Sequence, residues 1–189
     1  MLASARRLFT TTGYAATSVA QIAADAGVNV DTVYASVGRK PQLLLAVIDM
    51  ALGSSQHPVP AEDRDYVKTV RAAATAREKL SIYVQALARL MPEVTPLFAA
   101  LRQAALTDPE CARVRDEVAN RRAANMRLFA ADLRATGELR GDLSDDEVAD
   151  LVWVTNAPEF FDLVAARGRT PAQYADLLAD LWTRTLLVR

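Results

Sequence analysis

Apolar residues return every three or four positions along almost the whole chain, and no stretch alternates with period two for long enough to suggest a sheet. A first helix is expected from about Leu2 to Thr12, ended by Gly13, whose backbone enters the left-handed region freely. Ser18, with Gln21 three residues on, reads as a capping box ahead of Val19, Ile22 and Ala23, which give a short second helix one apolar face. Gly27 permits a sharp turn. A third short helix should follow from about Asn29 to Val37, with Val33 and Val37 inside and Asn29, Asp31, Thr32, Tyr34 and Ser36 outside. Pro41, favourable in a first turn, opens a fourth helix that ends before Gly53 and carries the inner stripe Leu43, Leu44, Val47, Ile48 and Ala51.

The run Gly53-Ser54-Ser55-Gln56-His57-Pro58-Val59-Pro60 is a linker by composition, and it divides the chain into residues 1–52 and 61–189. One or two helices are predicted from Ala61 to Met91, with a break near Thr75. Pro92 and Pro96 are expected to interrupt the pattern before a helix over Leu97 to Ala105. Asp108-Pro109 opens a long helix that should end at Gly137. Ser144 with Glu147, and Thr170-Pro171 with Gln173, mark the starts of two further helices. Asn156-Ala157-Pro158 should bend or break the first of these. The fold class is all-α: a three-helix N-terminal module with a following helix, then a helical bundle.

Those last helices carry more apolar surface than a one-sided contact uses. Val148, Leu151, Val152, Trp153 and Val154 mark one, and Tyr174, Leu177, Leu178, Leu181, Trp182, Leu186 and Leu187 the other. They read either as central core helices or as the contact with a second copy of the chain.

Composition narrows the chemistry. The 189 residues are 51% hydrophobic and carry a net charge of −1, which suits a folded chain with a core of ordinary size. The one cysteine, Cys111, excludes an internal disulfide and fits a reducing compartment. No apolar run reaches the length of a membrane span, and the N-terminus lacks the pattern of a signal peptide, so a cytoplasmic location is expected and no membrane partner. His57 is the sole histidine and sits in the linker, so no metal site is expected. There is no Gly-rich phosphate loop and no Ser-His-Asp or Cys-His set, and neither cofactor nor enzymatic activity is expected. Asp145 and Asp146 sit at a helix start, where they complement its dipole.

Two short helices joined by a Gly-containing turn, the second with a polar outer face, form a helix-turn-helix, a device that reads the major groove of DNA. The resemblance goes further. Ala5-Arg6-Arg7-Leu8-Phe9, Gly13-Tyr14, Thr17-Ser18-Val19, Ile22-Ala23, Ala26-Gly27-Val28, Thr32-Val33-Tyr34, Gly38-Arg39-Lys40 and Leu43-Leu44 fall in register without a gap. This linked set, over about the first fifty residues, resembles the DNA-binding domain of the TetR family of tetracycline-repressor-like regulators.

The resemblance implies a homodimer that meets through its last helices, a double-stranded DNA operator as partner, a small-molecule effector, and most often repression relieved by that effector. It also implies that Tyr34 touches the DNA backbone or a base edge. On residue chemistry, Thr17 and Ser18 would offer hydroxyl and backbone N–H to phosphate. Asn29 suits adenine, Asp31 the cytosine amino group or simply the helix dipole, Thr32 a phosphate or thymine methyl, and Val30 a thymine methyl. Arg39 and Lys40 follow the third helix where a phosphate would lie, with Lys40 the better clamp. In the first fifty-two residues Arg6, Arg7, Arg39 and Lys40 face only Asp25, Asp31 and Asp49, a thin surplus for phosphate binding. The family pattern has a basic arm before the first helix. Here Met1 falls inside that helix, so either the start is truncated or fewer phosphate contacts are expected. Val37 stands where an aromatic is common, a change inside the core.

In the second half the residues that interrupt aliphatic stripes are candidate effector contacts: Tyr83, Leu87, Met91, Phe98, Arg102, Met126, Phe129, Trp153, Asn156 and Phe160. Arg102, if buried, would need an anionic partner. The rival readings are a helical interaction protein with a vestigial helix-turn-helix and a helical small-molecule enzyme.

Overall fold

The structure, a computed structural model, describes residues 1–188. Among them the regular elements are α1 (Leu2–Thr11), α2 (Val19–Ala26), α3 (Val30–Ser36), α4 (Lys40–Leu52), α5 (Asp65–Ala72), α6 (Ala76–Ala104), α7 (Pro109–Arg134), α8 (Asp145–Thr155), α9 (Pro158–Ala166) and α10 (Pro171–Leu186), with a 3-10 turn at Ala61–Asp63. One isolated antiparallel bridge joins Leu139 and Leu187, and no other sheet pairing occurs among the described residues. The all-α class holds. Two compact units result: Met1–Pro60 with Pro96–Val118, and Ala61–Thr95 with Ala119–Arg189. A division at the linker does not anticipate that residues 96–118 join the N-terminal unit.

In the first unit α1 packs on α4 and α2, and α2 on α3. Ala5 and Phe9 of α1, Ile22 and Ala23 of α2, Val33 of α3, and Leu43, Leu44, Val47 and Ile48 of α4 are all buried. The ends of these helices follow their local chemistry. Gly13 and Gly27 both take positive φ, 89° and 65°, where a side chain would strain the backbone. Ser18 and Gln21 form the reciprocal capping box.

In the second unit α10 packs on α8 and α9. Capping boxes at Ser144–Glu147 and Thr170–Gln173 start α8 and α10 where the sequence places them. α8 ends at Thr155, and Pro158 starts α9. Long-range caps, by contrast, have no local signal. Glu138 accepts from the backbone N–H of Ala76 at 2.9 Å, at the start of α6. Buried Lys79 donates to the carbonyls of Val70 and Arg71, each at 3.0 Å, and to Asp132 at 2.9 Å. It thus satisfies the last carbonyls of α5 and keeps a paired charge.

One expectation fails. Pro92 and Pro96 do not interrupt the helix; α6 runs through both for 29 residues. Both prolines are exposed, while Leu90, Met91, Val94, Leu97, Phe98 and Leu101 are buried. The missing N–H groups therefore fall on the wet side, and apolar burial on the other outweighs a helix-interior penalty of about 3 kcal/mol per proline.

The apolar surplus of the last helices also shrinks. Val148, Val152, Tyr174, Leu178, Trp182, Leu186 and Leu187 are consumed by the core of their own unit. Val154, Leu163 and Leu177 remain exposed, at 54%, 69% and 44%.

Replacing Pro92 with Ala restores a donor to the carbonyl of Ala88 and removes the ring clash. Urea denaturation should show a gain of about 2–2.5 kcal/mol, the helix penalty of about 3 kcal/mol less the unfolded-state entropy of about 0.4–1 kcal/mol that proline removes. A loss of stability would mean that the proline shapes α6 rather than being tolerated by it.

Candidate nucleic-acid interface

The N-terminal unit builds one polar face from α2, the turn at Gly27 and α3. Val33 is the buried residue of α3; Asp31, Thr32, Tyr34, Ala35 and Ser36 are exposed and Val30 half-buried. Tyr34 is 48% exposed, with its ring standing off the helix rather than in the core. Ser36 turns its hydroxyl back to the carbonyl of Thr32, which leaves Thr32 and Tyr34 as the outward polar side chains at the middle of the helix.

Three expected phosphate or base contacts change character. Thr17 does not present its hydroxyl: the residue is 2% exposed and its Oγ1 donates to the carbonyl of Gly13 at 2.8 Å. A β-branched residue in the tight segment before α2 can pack its methyl inward only by turning its hydroxyl onto local backbone. Ser18 accepts from the N–H of Gln21 at 3.1 Å and keeps its own O–H to give. Asn29 is the N-cap of α3, its Oδ1 accepting from Asp31 N–H at 2.9 Å. The cap takes one lone pair of that oxygen and ties the amide to the helix start, which restricts how it can turn toward an adenine edge.

Lys40 occupies an unexpected place. Its Nζ lies 4.1 Å from the centre of the Tyr14 ring and 3.5 Å from the carbonyl oxygen of Ala15. Partial burial lowers its pKa, and the ring face compensates part of the lost hydration. Tyr14 is itself buried, with its hydroxyl 3.1 Å from the Sγ of Cys111, and burial followed by that contact pushes its pKa up. Asp108 caps α7 beside it, accepting from the N–H of Glu110 at 2.8 Å, and this bond holds its carboxyl below the usual range. Cys111 is thus a packed, hydrogen-bonded core residue.

Residues 15–19, Tyr34, Arg39, Lys40, Pro41 and Glu110 line an open cleft of about 620 Å³. The unused N–H groups of the first turn of α2, the Ser18 hydroxyl and Lys40 make it suited to an anion. Arg39 is largely exposed and only 3.9 Å from Glu110, a weak rim pair. Asp25 is held by Arg7, whose hydrogen bond lowers its pKa, so one of the three acids of this module is neutralised.

The candidate effector contacts divide. Phe98 and Arg102 belong to the N-terminal unit, and the other eight to the second. Arg102 is half-buried, and it has partners in the structure. Leu87 and Met91 are buried aliphatic neighbours along α6. Tyr83, Met126 and Asn156 meet: Asn156 Nδ2 donates to the Tyr83 hydroxyl at 2.7 Å and lies 3.1 Å from the Met126 sulfur. Phe129 meets the Tyr83 ring edge-on at 5.0 Å, and Phe160 lies 6.3 Å from Tyr174. Trp153 is half-buried, beneath a residue that sequence reasoning missed. Arg122 gives Nη2 to Asn156 Oδ1 at 2.6 Å and to the Trp153 carbonyl at 3.1 Å. Its signal was present, since Val118, Arg122, Met126, Phe129 and Leu133 share one helical stripe in which a cation is the odd member. Among the described residues no group of three His, Cys, Asp or Glu side chains is arranged to hold a metal ion.

Residues 1–47 match the family described as "Bacterial regulatory proteins, tetR family". The N-terminal module is thus similar to the DNA-binding domain of the TetR family. No curated protein matches it. Solved structures share the fold over nearly the whole chain at low identity. The transcriptional regulator FadR of Bacillus subtilis, in complex with stearoyl-CoA, is 18% identical with a TM-score of 0.73, covering 95% of this chain and 94% of its own. A Saccharomonospora viridis protein assigned as a transcriptional regulator, in complex with choline, is 19% identical with a TM-score of 0.73, covering 100% and 96%. The TetR-family regulator PfmR of Thermus thermophilus is 22% identical with a TM-score of 0.62, covering 100% and 98%. At this identity the likeness is one of fold. The matched residues are those of the N-terminal module alone.

The cap at Asn29 gives a direct test of its role. Asn29→Ala should lower stability by about 1 kcal/mol, whereas Asn29→Ser should retain it, because Ser caps as well as Asn. Urea unfolding followed by circular dichroism distinguishes them; equal stability of all three proteins would remove the cap from the account of α3.

Proposed function

We propose that this chain is a cytoplasmic homodimeric repressor that binds a palindromic operator and releases it when a small molecule occupies its C-terminal half. The observation that carries the reading is the exposed polar face of α3, with Tyr34 outward, followed directly by Arg39 and Lys40. In this reading residues 1–52 read DNA and residues 61–189 bind the effector and the second copy.

Thr32 and Tyr34 contact bases or backbone, Val30 and Asp31 flank them, and Ser18, Arg39 and Lys40 hold phosphates, with Thr17 acting through its backbone. Asn29 sets the entry of α3 and reaches DNA through its amide nitrogen. Two copies place two such helices one DNA turn apart, which a single copy cannot do. The exposed Val154, Leu163 and Leu177 support a second copy meeting α8, α9 and α10. Among the described residues no helix is long and apolar enough to cross a membrane, and Cys111 is a free thiol, both in keeping with the cytoplasm. The effector acts by favouring a state whose recognition helices no longer match that spacing. That bound small molecules occur in two fold neighbours of unlike ligand chemistry, choline and stearoyl-CoA, supports an effector without naming it.

Operator fragments selected from genomic DNA supply the assay. Lys40→Ala should weaken binding to all sequences about equally and lower the salt slope by about one unit per half-site. Thr32→Ala should instead relax the preference at one symmetric base position, by about 1–3 kcal/mol. A uniform loss in both would overturn this division of roles, and a wild type that selects no sequence would overturn the operator reading itself.

The dimer is tested by light scattering. The wild type should have twice the chain mass at micromolar concentration, and Leu163→Glu with Leu177→Glu should give a folded monomer that no longer binds the full operator. A monomeric wild type excludes the assembly.

A further inference from the structure

A half-buried cation and two buried, unpartnered polar atoms lie in the second compact unit. Both acceptors of Arg122, the Asn156 side-chain oxygen and the Trp153 carbonyl, are neutral. Its guanidinium carbon lies 5.4 Å from the centre of the Trp153 ring. The indole Nε1 of Trp153 and the hydroxyl of Tyr174 are buried without a hydrogen-bond partner. Tyr174 has no exposed surface at all. Arg122 and Tyr174 are close enough to influence each other's charge, and burial works against the charged form of the guanidinium. Glu159, exposed in the first turn of α9, is the carboxylate that acts on Arg122 in the favourable sense.

Buried polar atoms without partners are rare and destabilising, and two in the same core as a half-buried cation are unusual. What they share is donor character: a guanidinium and an indole N–H can only donate, and the Tyr174 hydroxyl has its proton to give. The complementary group is therefore an acceptor that is negatively charged, which excludes cations and neutral donors. A planar guanidinium fork matches a planar carboxylate. Aromatic rings pack beside these groups, Phe160 and Phe161 against Tyr174 and Tyr83 hydrogen-bonded to Asn156, so the body that suits that carboxylate is flat and apolar.

We infer that Arg122, Trp153 Nε1 and Tyr174 hydroxyl bind the carboxylate of a small aromatic acid, and that such an acid is the effector. The effector role rests on the regulatory reading proposed above; the binding site does not. The acid takes the guanidinium charge that Asn156 and the Trp153 carbonyl now meet with dipoles alone, and gives the two unpartnered donors an acceptor.

The test is thermal unfolding of the full chain without DNA, with benzoate, phenylacetate and indole-3-acetate, against their amides, benzyltrimethylammonium and inorganic phosphate. At least one acid should raise Tm by about 5 °C or more once it reaches about a hundred times its Kd. Its amide and the cation should not. Arg122→Met should weaken that acid about 10- to 100-fold by calorimetry, the range of a hydrogen bond to a charged group. Tyr174→Phe keeps the ring, should leave the unliganded Tm unchanged or higher, and should still weaken the acid. Glu159→Gln, which removes a nearby negative charge, should tighten it.

Stabilisation by amides equal to that by acids, no response to any acid, or phosphate binding in place of all three overturns the assignment. So does a folded Tyr174→Phe protein with a lower unliganded Tm and an undiminished acid response, which also covers an Arg122→Met protein that fails to fold. Operator binding is measured on the same preparations. Acid binding without operator binding keeps the site and removes the regulator, and the converse keeps the regulator and removes the site.

Discussion

A helix of seven residues has no stability of its own in water, because nucleation fixes several residues before any intrahelical bond repays them. α3 is such a helix, Val30–Ser36, and everything assigned to DNA reading hangs on it. It persists because Val33 is buried against its neighbours, because Asn29 satisfies a first-turn N–H, and because Gly27 delivers the chain at the required angle. These anchors occupy the inner side and the ends. The outer face is therefore free to carry polar residues whose job lies outside the molecule, and its composition is not limited by folding.

The same economy governs the charges. The N-terminal module has few cations, and Arg7 is spent on Asp25 while Arg39 lies near Glu110. Lys40 alone is tucked against an aromatic face, where partial burial lowers its pKa and a phosphate oxygen would raise it again. A few cations beside the first turn of α2 make a different surface from a broad basic patch, and would release few counterions on meeting phosphates. The residues behind this cleft, Tyr14, Asp108 and Cys111, form one hydrogen-bonded group that includes the start of α7. The cleft is therefore supported by a segment distant in sequence, 96–118, which belongs to the same compact unit.

In the second unit the polar residues inside the core are the informative ones. Lys79 is buried but fully satisfied, by two carbonyls and Asp132, and reads as structure. Trp182 likewise gives its Nε1 to Thr155 at 2.8 Å. Trp153 and Tyr174, in the same core, have no such partner. The contrast matters because aromatic residues of both kinds look identical along the chain, and only the accounting of donors and acceptors separates a packed ring from one with a polar end still to be satisfied.

Local chemistry settled much of this protein from sequence alone. The all-α class, the capping boxes at Ser18, Ser144 and Thr170, the turns at Gly13 and Gly27, the break at Asn156-Ala157-Pro158 and the helix-turn-helix itself depend on interactions within a few residues, so their signals are contiguous. Tertiary structure decided the rest. Pro92 and Pro96 are tolerated in α6 because their missing donors face water while the opposite face is buried, which no local rule contains. Thr17 turned inward and Asn29 became a cap because packing and backbone donors claimed their polar atoms first. Arg122, which the sequence did not single out, lies over the Trp153 ring and donates to Asn156. Its partners, Asn156 and Trp153, lie over thirty residues away, and a side chain's hydrogen-bond partners across such distances exist only once the chain has folded.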